Sequence, residues 1–322
     1  MPGTVQASKE LNLNPVPPGK IESPLPSNAG VLARFGIGAA QFGMSYGRFN
    51  TQGMPSQDAV RNILIAARNF GLSVIDTAHE YGASQSVLGQ CAEEARHFAM
   101  ITKTPRLPAD FTAVEAQTLG AQLRSALGTL RRASVDGLMV HNSDELLAPG
   151  GGHVYEQLLA LKDAGLVRKI GVSAYTGEVA EKIADRFPID LVQLPINWLD
   201  RRLIESGTLR RLNEKGIEIH ARSAFLQGLL LADPATLAPN FDSVRPVLTA
   251  FRDSCTQAGV SPAHAALHHL LGIPEIARII VGVESIEQLN ELFGNFPPPP
   301  PIHFADFSCN DVRILNPVLW NA

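Results

Sequence analysis

The chain of 322 residues holds only three cysteines, Cys91, Cys255 and Cys309, widely spaced and without a C-x-x-C pair. An odd, scattered set argues against a disulfide framework or a zinc site and points to a reducing cytoplasm. No run is long and apolar enough to span a bilayer, and the proline-containing segment 1–30 lacks the apolar stretch of a secretory signal. It reads as a loosely ordered arm. Charge is sparse as well: 18% of residues are charged, the net charge is −4, and acids and bases are mixed along the chain. That leaves no electrostatic footprint for nucleic acid or an anionic membrane. Also missing is a G-x-G-x-x-G fingerprint. "GIGAAQFG" supplies Gly36, Gly38 and Gly43 at the wrong spacing, so a doubly wound dinucleotide fold loses ground.

What is present is apolar bulk, 45% of residues, enough to bury a sizeable core and favour small-molecule chemistry. From Val31 onward short β-branched runs alternate with amphipathic helical patterns. The candidate strands are "RFGIGAAQFG", "SVIDTA", "AMITK", "VDGLMVH", "KIGVSA", "DLVQLPIN", "GIEIHARSA" and "ARIIVGV". Ser56 to Phe70 carries Val60, Ile63, Leu64 and Ala67 at helical spacing, with Ser56 as N-cap and Asp58 in the first turn. His153 to Gly165 presents Val154, Leu158 and Leu161 as one stripe, with Gly165 placed to end it at positive φ. Val179, Ile183 and Phe187 mark a helix stopped by Pro188, and Leu203 to Lys215 and Ser285 to Phe296 read likewise. Some eight βα units in series imply parallel strands joined by right-handed crossovers, and a closed single-domain (β/α)8 TIM barrel over 31–322 is the natural solution. Two long departures from it, "FLQGLLLADPATLAPNFD" and the tail beginning "PPPPPIHFADF", read as binding loops or lids.

Active sites of such barrels collect at the C-terminal ends of the strands. There the second strand ends in Asp76 with Tyr81 following; the third ends in Lys103, the fourth in His141, the fifth in Ser173, and the sixth carries Gln193 and Asn197. Neighbouring strands lie roughly 4.8 Å apart, so the first four side chains are able to converge. A tyrosine beside an ammonium is a better proton donor than a free phenol, and a lysine in a half-dry pocket needs a carboxylate partner. Tyr81 as acid, Lys103 and Asp76 as tuners and His141 as clamp make a site for protonating a carbonyl oxygen while a hydride arrives at its carbon. Each residue alone has a plainer reading, as a solvated loop residue or a satisfied core histidine. His79 competes with Tyr81 as proton donor. His264 and His268 have the i, i+4 spacing of a metal pair, but no Glu follows His264 and the pair reads as a helix surface, so no metal is expected. Phe42 is the best candidate to line a substrate pocket; Trp198 and Trp320 read as packing.

"IDTAHEYG", "ITK", "LMVH", "GVSAY", "VQLPIN" and "IVGVESIEQLNEL" resemble, in order and spacing, the aldo-keto reductases over Val31 to Phe296, most nearly bacterial members that begin with an "AQFG" segment. The resemblance implies a (β/α)8 barrel binding NADPH without a Rossmann domain, with Asp76, Tyr81, Lys103 and His141 catalytic. It implies Ser173 and Gln193 at the nicotinamide carboxamide and Ser223, Phe225, Leu226 and Gly228 at the pyrophosphate. Gly282, Ser285, Gln288 and Glu291 would lie at the adenosine phosphate. Two positions depart from that pattern. Arg222 stands where members often stack an aromatic residue on the nicotinamide, and "GVESIEQLNEL" has no base for a 2′-phosphate, which brings NADH into consideration.

The expected function is therefore a cytoplasmic NAD(P)H-dependent reductase of an aldehyde or ketone. Its substrate would be set by the loop after the first strand, Asn142, residues 225–242 and the tail; by resemblance a sugar-like or small polar carbonyl suits it. The oligomeric state is not legible. Two other classes compete: a barrel lyase using Lys103 as Schiff-base lysine, and a non-catalytic nicotinamide-nucleotide sensor.

Overall fold

In the computed structural model, which describes residues 29–50 and 53–321, eight parallel strands close into a barrel in sequence order. They are β1 (Phe35–Gly38), β2 (Val74–Asp76), β3 (Ala99–Lys103), β4 (Val135–Val140), β5 (Val167–Ser173), β6 (Leu191–Pro195), β7 (Glu218–Arg222) and β8 (Ile276–Gly282). Closure comes from β1 pairing with β8 over Phe35↔Ile279 to Gly38↔Gly282. The outer helices are α1 (Gln57–Asn69), α2 (Ser84–Gln90), α3 (Ala113–Leu130), α4 (Gly151–Asp163), α5 (Gly177–Arg186), α6 (Thr208–Glu214), α7 (Arg245–Gln257), α8 (Pro262–Leu271) and α9 (Ile286–Phe293). Most of the expected arm, residues 1–28, lies outside the described residues.

The helices start and stop for local reasons. The Ser56 side chain accepts from Ala59 N, and Val60, Ile63, Leu64 and Ala67 turn inward as their spacing requires. Gly165 takes φ +70 after α4, and Phe187 is extended ahead of Pro188. The helix expected over Leu203 to Lys215 is broken into Arg202–Glu205 and α6, because Gly207 adopts φ +72 between them. Helices α2, α3 and α7 escaped the sequence reading. Among the described residues no helix is long and apolar enough to cross a membrane.

Side chains alternate along a strand, and this builds the barrel interior in layers. Val74, Ile101, Met139, Leu191 and Ile280 form one buried apolar cluster inside the barrel. Two residues further along the same chain segments stand Asp76, Lys103, His141, Gln193 and Gly282, one layer nearer the C-terminal mouth. At the opposite end the inward-facing Glu218 bonds Lys169 and His220. A second apolar cluster joins the insert after β7, α7, α8 and the tail around Trp198, Phe241, Phe251 and Trp320.

Candidate active site

The layer above the apolar cluster is where the chemistry gathers. Lys103 Nζ donates to Asp76 Oδ2 at 2.6 Å, to Tyr81 Oη at 3.2 Å and to the Thr77 carbonyl at 3.3 Å. The side chains of Lys103 and Asp76 are only 1% and 4% exposed. Burial alone would push the Lys103 ammonium down; the charges and hydrogen bonds of Asp76 and Tyr81 outweigh it and hold the group above the ordinary lysine value. Tyr81 is fixed from its other edge by the His141 ring, T-shaped at 5.7 Å.

His141 is a neutral imidazole at ordinary pH. Burial first, then the positive charges of Lys103, Arg222 and Arg106, lower its pKa to about 3. Its Nδ1 lies 3.4 Å from Glu80 Oε2, outside hydrogen-bond geometry. His79, the rival proton donor, is exposed and stands outside the cleft.

From Asp76 and Tyr81 a cleft of about 500 Å³ runs along the ends of β1, β8 and β7. Eight of the eleven residues expected to hold a cofactor line it: Gln193, Arg222, Ser223, Phe225, Gly228, Gly282, Gln288 and Glu291. The other three do not. Ser173 ends β5, buried and in register with Gln193; Leu226 is packed in the second apolar cluster; and Ser285 caps α9 by accepting from Gln288 N.

Both expected substrate residues lie outside the cleft. Phe42 does not end the first strand: β1 stops at Gly38, and Phe42 sits in a 3-10 turn with its ring in the main core at 2% exposure. Asn142 is not part of the wall; it follows His141, and while burial raises the pKa of Glu145, the Asn142 side chain helps to lower it. Trp198 stacks on Phe251 at 3.9 Å, and His264 and His268 face the carbonyls of Leu292 and Pro297.

Sequence reasoning pointed to the loop after β1 but named none of the residues with which it walls the cleft. Tyr46, Phe49 and Asn50 line the cleft, as do Gln41 and Gln227. Gln41 is there because Gly282 has no side chain: a Cβ would lie 2.4 Å from the Gln41 amide nitrogen. Phe49 N donates to the Gln227 carbonyl at 3.4 Å, so the loops after β1 and β7 meet and roof the cleft above β8. That meeting needs an unusual backbone. Ser223, Leu226 and Gln227 are left-handed at φ 60, 45 and 52, and Gly228 follows at φ +92, where a Cβ would stand 2.9 Å from that of Phe49. Several strained residues in one loop mark a functional segment. Two aromatic residues in a loop after a first strand were the only sequence signal for this wall.

Arg222, at the end of β7, lays its guanidinium 4.5 Å from the Tyr175 ring centroid and reaches the Ala174 carbonyl at 3.4 Å. Burial raises the Tyr46 phenol, and Tyr81 adds to the effect while Arg222 and a hydrogen bond from Gln227 oppose it.

The cleft fits a nicotinamide dinucleotide on its own chemistry. Gln193 Nε2 is bonded to Asp76, while its Oε1 is buried without a hydrogen-bond partner, an acceptor awaiting an amide N–H. Gly38, Gly228 and Gly282 lie in the cleft wall, the last two packed against Phe49 and Gln41.

A closed (β/α)8 barrel with a Lys, Asp, Tyr and His cluster at its C-terminal mouth places the protein among the barrel oxidoreductases. The aldo/keto reductase family model matches residues 34–298, and the chain belongs to that family. It is 24% identical over 288 residues to L-galactose dehydrogenase of Arabidopsis thaliana, covering 84% of this chain and 87% of that protein. Among solved structures it is similar to the holo form of an aldo-keto reductase from Bacillus halodurans, at TM-score 0.67 and 19% identity over 84% and 88% of the two chains. A glycerol dehydrogenase from Gluconobacter oxydans superposes at TM-score 0.63 with 21% identity over 83% and 87%.

Proposed function

We propose that this protein reduces an aldehyde or ketone to an alcohol with a reduced nicotinamide dinucleotide bound in the cleft. The observation that carries the reading is Lys103 Nζ bridging Asp76 Oδ2 and Tyr81 Oη at the cleft mouth. When bound, a reduced nicotinamide would supply the hydride for the carbonyl carbon. Tyr81 Oη gives its proton to the carbonyl oxygen, and the Lys103 ammonium stabilises the phenolate left behind. Asp76 keeps the lysine charged, and neutral His141 stands beside Tyr81 as a hydrogen-bonding group for the substrate oxygen. Ser173 and Gln193 would hold the carboxamide, Ser223 to Gly228 the pyrophosphate, and Gly282 to Glu291 the adenosine.

A Schiff-base role for Lys103 fits poorly. Attack on a carbonyl requires a free amine, and the surroundings of Lys103 favour the ammonium. The wall residues Gln41, Asn50, Gln227 and Thr236 suit a hydroxylated carbonyl compound, and similarity to dehydrogenases of galactose and glycerol supports a sugar-like substrate. Three unpaired cysteines, two of them buried, are in keeping with a reducing cytoplasm. The test is to follow nicotinamide fluorescence with purified protein and a panel of hydroxyaldehydes, hydroxyketones and simple carbonyls. Tight dinucleotide binding with no carbonyl-dependent oxidation across the panel would leave the sensor reading instead.

A further inference from the structure

We propose that the α9 end of the cleft selects a dinucleotide whose adenosine ribose carries a free 2′-hydroxyl, NADH rather than NADPH, and that Glu284 and Glu291 make the choice. The inference rests on the dinucleotide reading of the cleft and concerns the end far from Tyr81.

Charge in the wall is distributed unevenly. Arg222 is the one Lys or Arg among the described lining residues, and it stands at the end of β7, close enough to act on His141. The far end, past Gly282, is lined by Glu284, Gln288 and Glu291, and Asp233 of the insert lines the same cleft. Bases present in the insert region are engaged elsewhere. Arg252 donates to the Leu231 and Ala232 carbonyls, and Arg245 to those of Pro234 and Leu237 and to Asp242.

The helix start itself does not make up the deficit. A helix N-terminus ordinarily welcomes phosphate through free N–H groups and its dipole. Here Ser285 Oγ takes Gln288 N at 3.2 Å, Gln288 Oε1 takes Glu284 N at 3.0 Å, and Glu287 adds a further carboxylate in the first turn. A 2′-phosphate would bring about −1.5 to −2 charges to a stretch of wall whose described residues include carboxylates and no Lys or Arg. A ribose diol there gains instead, because a carboxylate accepts from a 2′-hydroxyl; carboxylate against arginine is the chemical basis of discrimination between the two dinucleotides in other folds.

The experiment is a binding titration of the full chain, read by intrinsic and nicotinamide fluorescence, with NADH and NADPH, and by calorimetry with 5′-AMP and 2′,5′-ADP. NADH is expected to bind at least about tenfold tighter than NADPH, and 5′-AMP tighter than 2′,5′-ADP, with both ratios shrinking as salt screens the repulsion. Glu284→Lys combined with Glu291→Arg should swing the ratio toward the phosphorylated forms, with NADH itself weakened by the loss of the carboxylates that accept from its 2′-hydroxyl. NADPH binding as tightly as NADH, or a ratio unmoved by the double variant, would overturn the inference and leave the reductase reading standing. Binding of neither dinucleotide would overturn both.

Discussion

Gln193 Nε2 donates to Asp76 Oδ1 at 2.9 Å, a contact between β6 and β2 within the barrel mouth. With Lys103 on Oδ2, both oxygens of a buried carboxylate are bonded, and the glutamine that satisfies Asp76 keeps its own Oε1 buried without a hydrogen-bond partner. Replacing Gln193 by Leu should therefore weaken dinucleotide binding and destabilise the fold together. Leaving Asp76 Oδ1 unbonded costs about 1–3 kcal/mol. Urea unfolding and a fluorescence titration on the same variant check the two effects.

Tyr81→Phe removes the proton and keeps the ring against His141. Carbonyl reduction should fall by about 10²–10⁴-fold, the usual worth of a placed acid, while dinucleotide affinity stays within about threefold. Steady-state turnover and a binding titration separate the two. A fully active Tyr81→Phe protein would remove the basis of the proposed mechanism.

Lys103 and Asp76 form a buried ion pair, so truncating either partner strands the other. Asp76→Ala should cost about 3–5 kcal/mol of stability, and Asp76→Ala with Lys103→Met should recover part of that loss by removing the orphaned charge. Denaturant midpoints of the three proteins measure the pattern. The double variant stays inactive.

The histidines set the acid limb of stability. His141 and His269 have pKa values lowered to about 3 and about 4, in both cases first by burial. Both are neutral in the fold and charge readily once unfolded, so the unfolded chain binds more protons below about 6.5, the ordinary histidine value. Stability is full above that pH and falls as pH drops, by up to about 1.4 kcal/mol per unit for each histidine. Glu218, held at about 2 first by its bond to His220, adds a second loss as pH falls from its ordinary value of 4.5 toward 2. Thermal melts across pH should be flat above the histidine range and steepen below it. The activity profile should show no limb from His141 between pH values of about 5 and 8, because the imidazole is neutral throughout.

The tail braces the cleft roof. Trp320 packs against Phe49 and Phe241, donates Nε1–H to the Ile314 carbonyl, and accepts from Arg48 on its own carbonyl. Trp320→Ala should cost about 3 kcal/mol and loosen the loop that carries Tyr46, Phe49 and Asn50. Dinucleotide dissociation measured by stopped flow should accelerate several-fold, with the chemical step nearly unchanged in single turnover.

How much of this was legible in the chain depends on the range of the forces involved. Strand and helix identity follow from local alternation and periodicity, and those patterns by themselves determined eight βα units and hence a closed barrel. The same alternation determined that Asp76, Lys103, His141 and Gln193 share a layer, since each lies two residues beyond an inward apolar residue. Local pattern also misled. Phe42 looked like a strand end and is a core residue in a turn, and the stripe over Leu203 to Lys215 concealed the break at Gly207. Only the tertiary structure decided which loops roof the cleft, that Gln193 completes Asp76, that Gln41 fills the space left by Gly282, and that carboxylates collect opposite Arg222. Those relations join residues far apart in sequence, through left-handed backbone and close approach, and no periodicity in the chain encodes contacts of that kind.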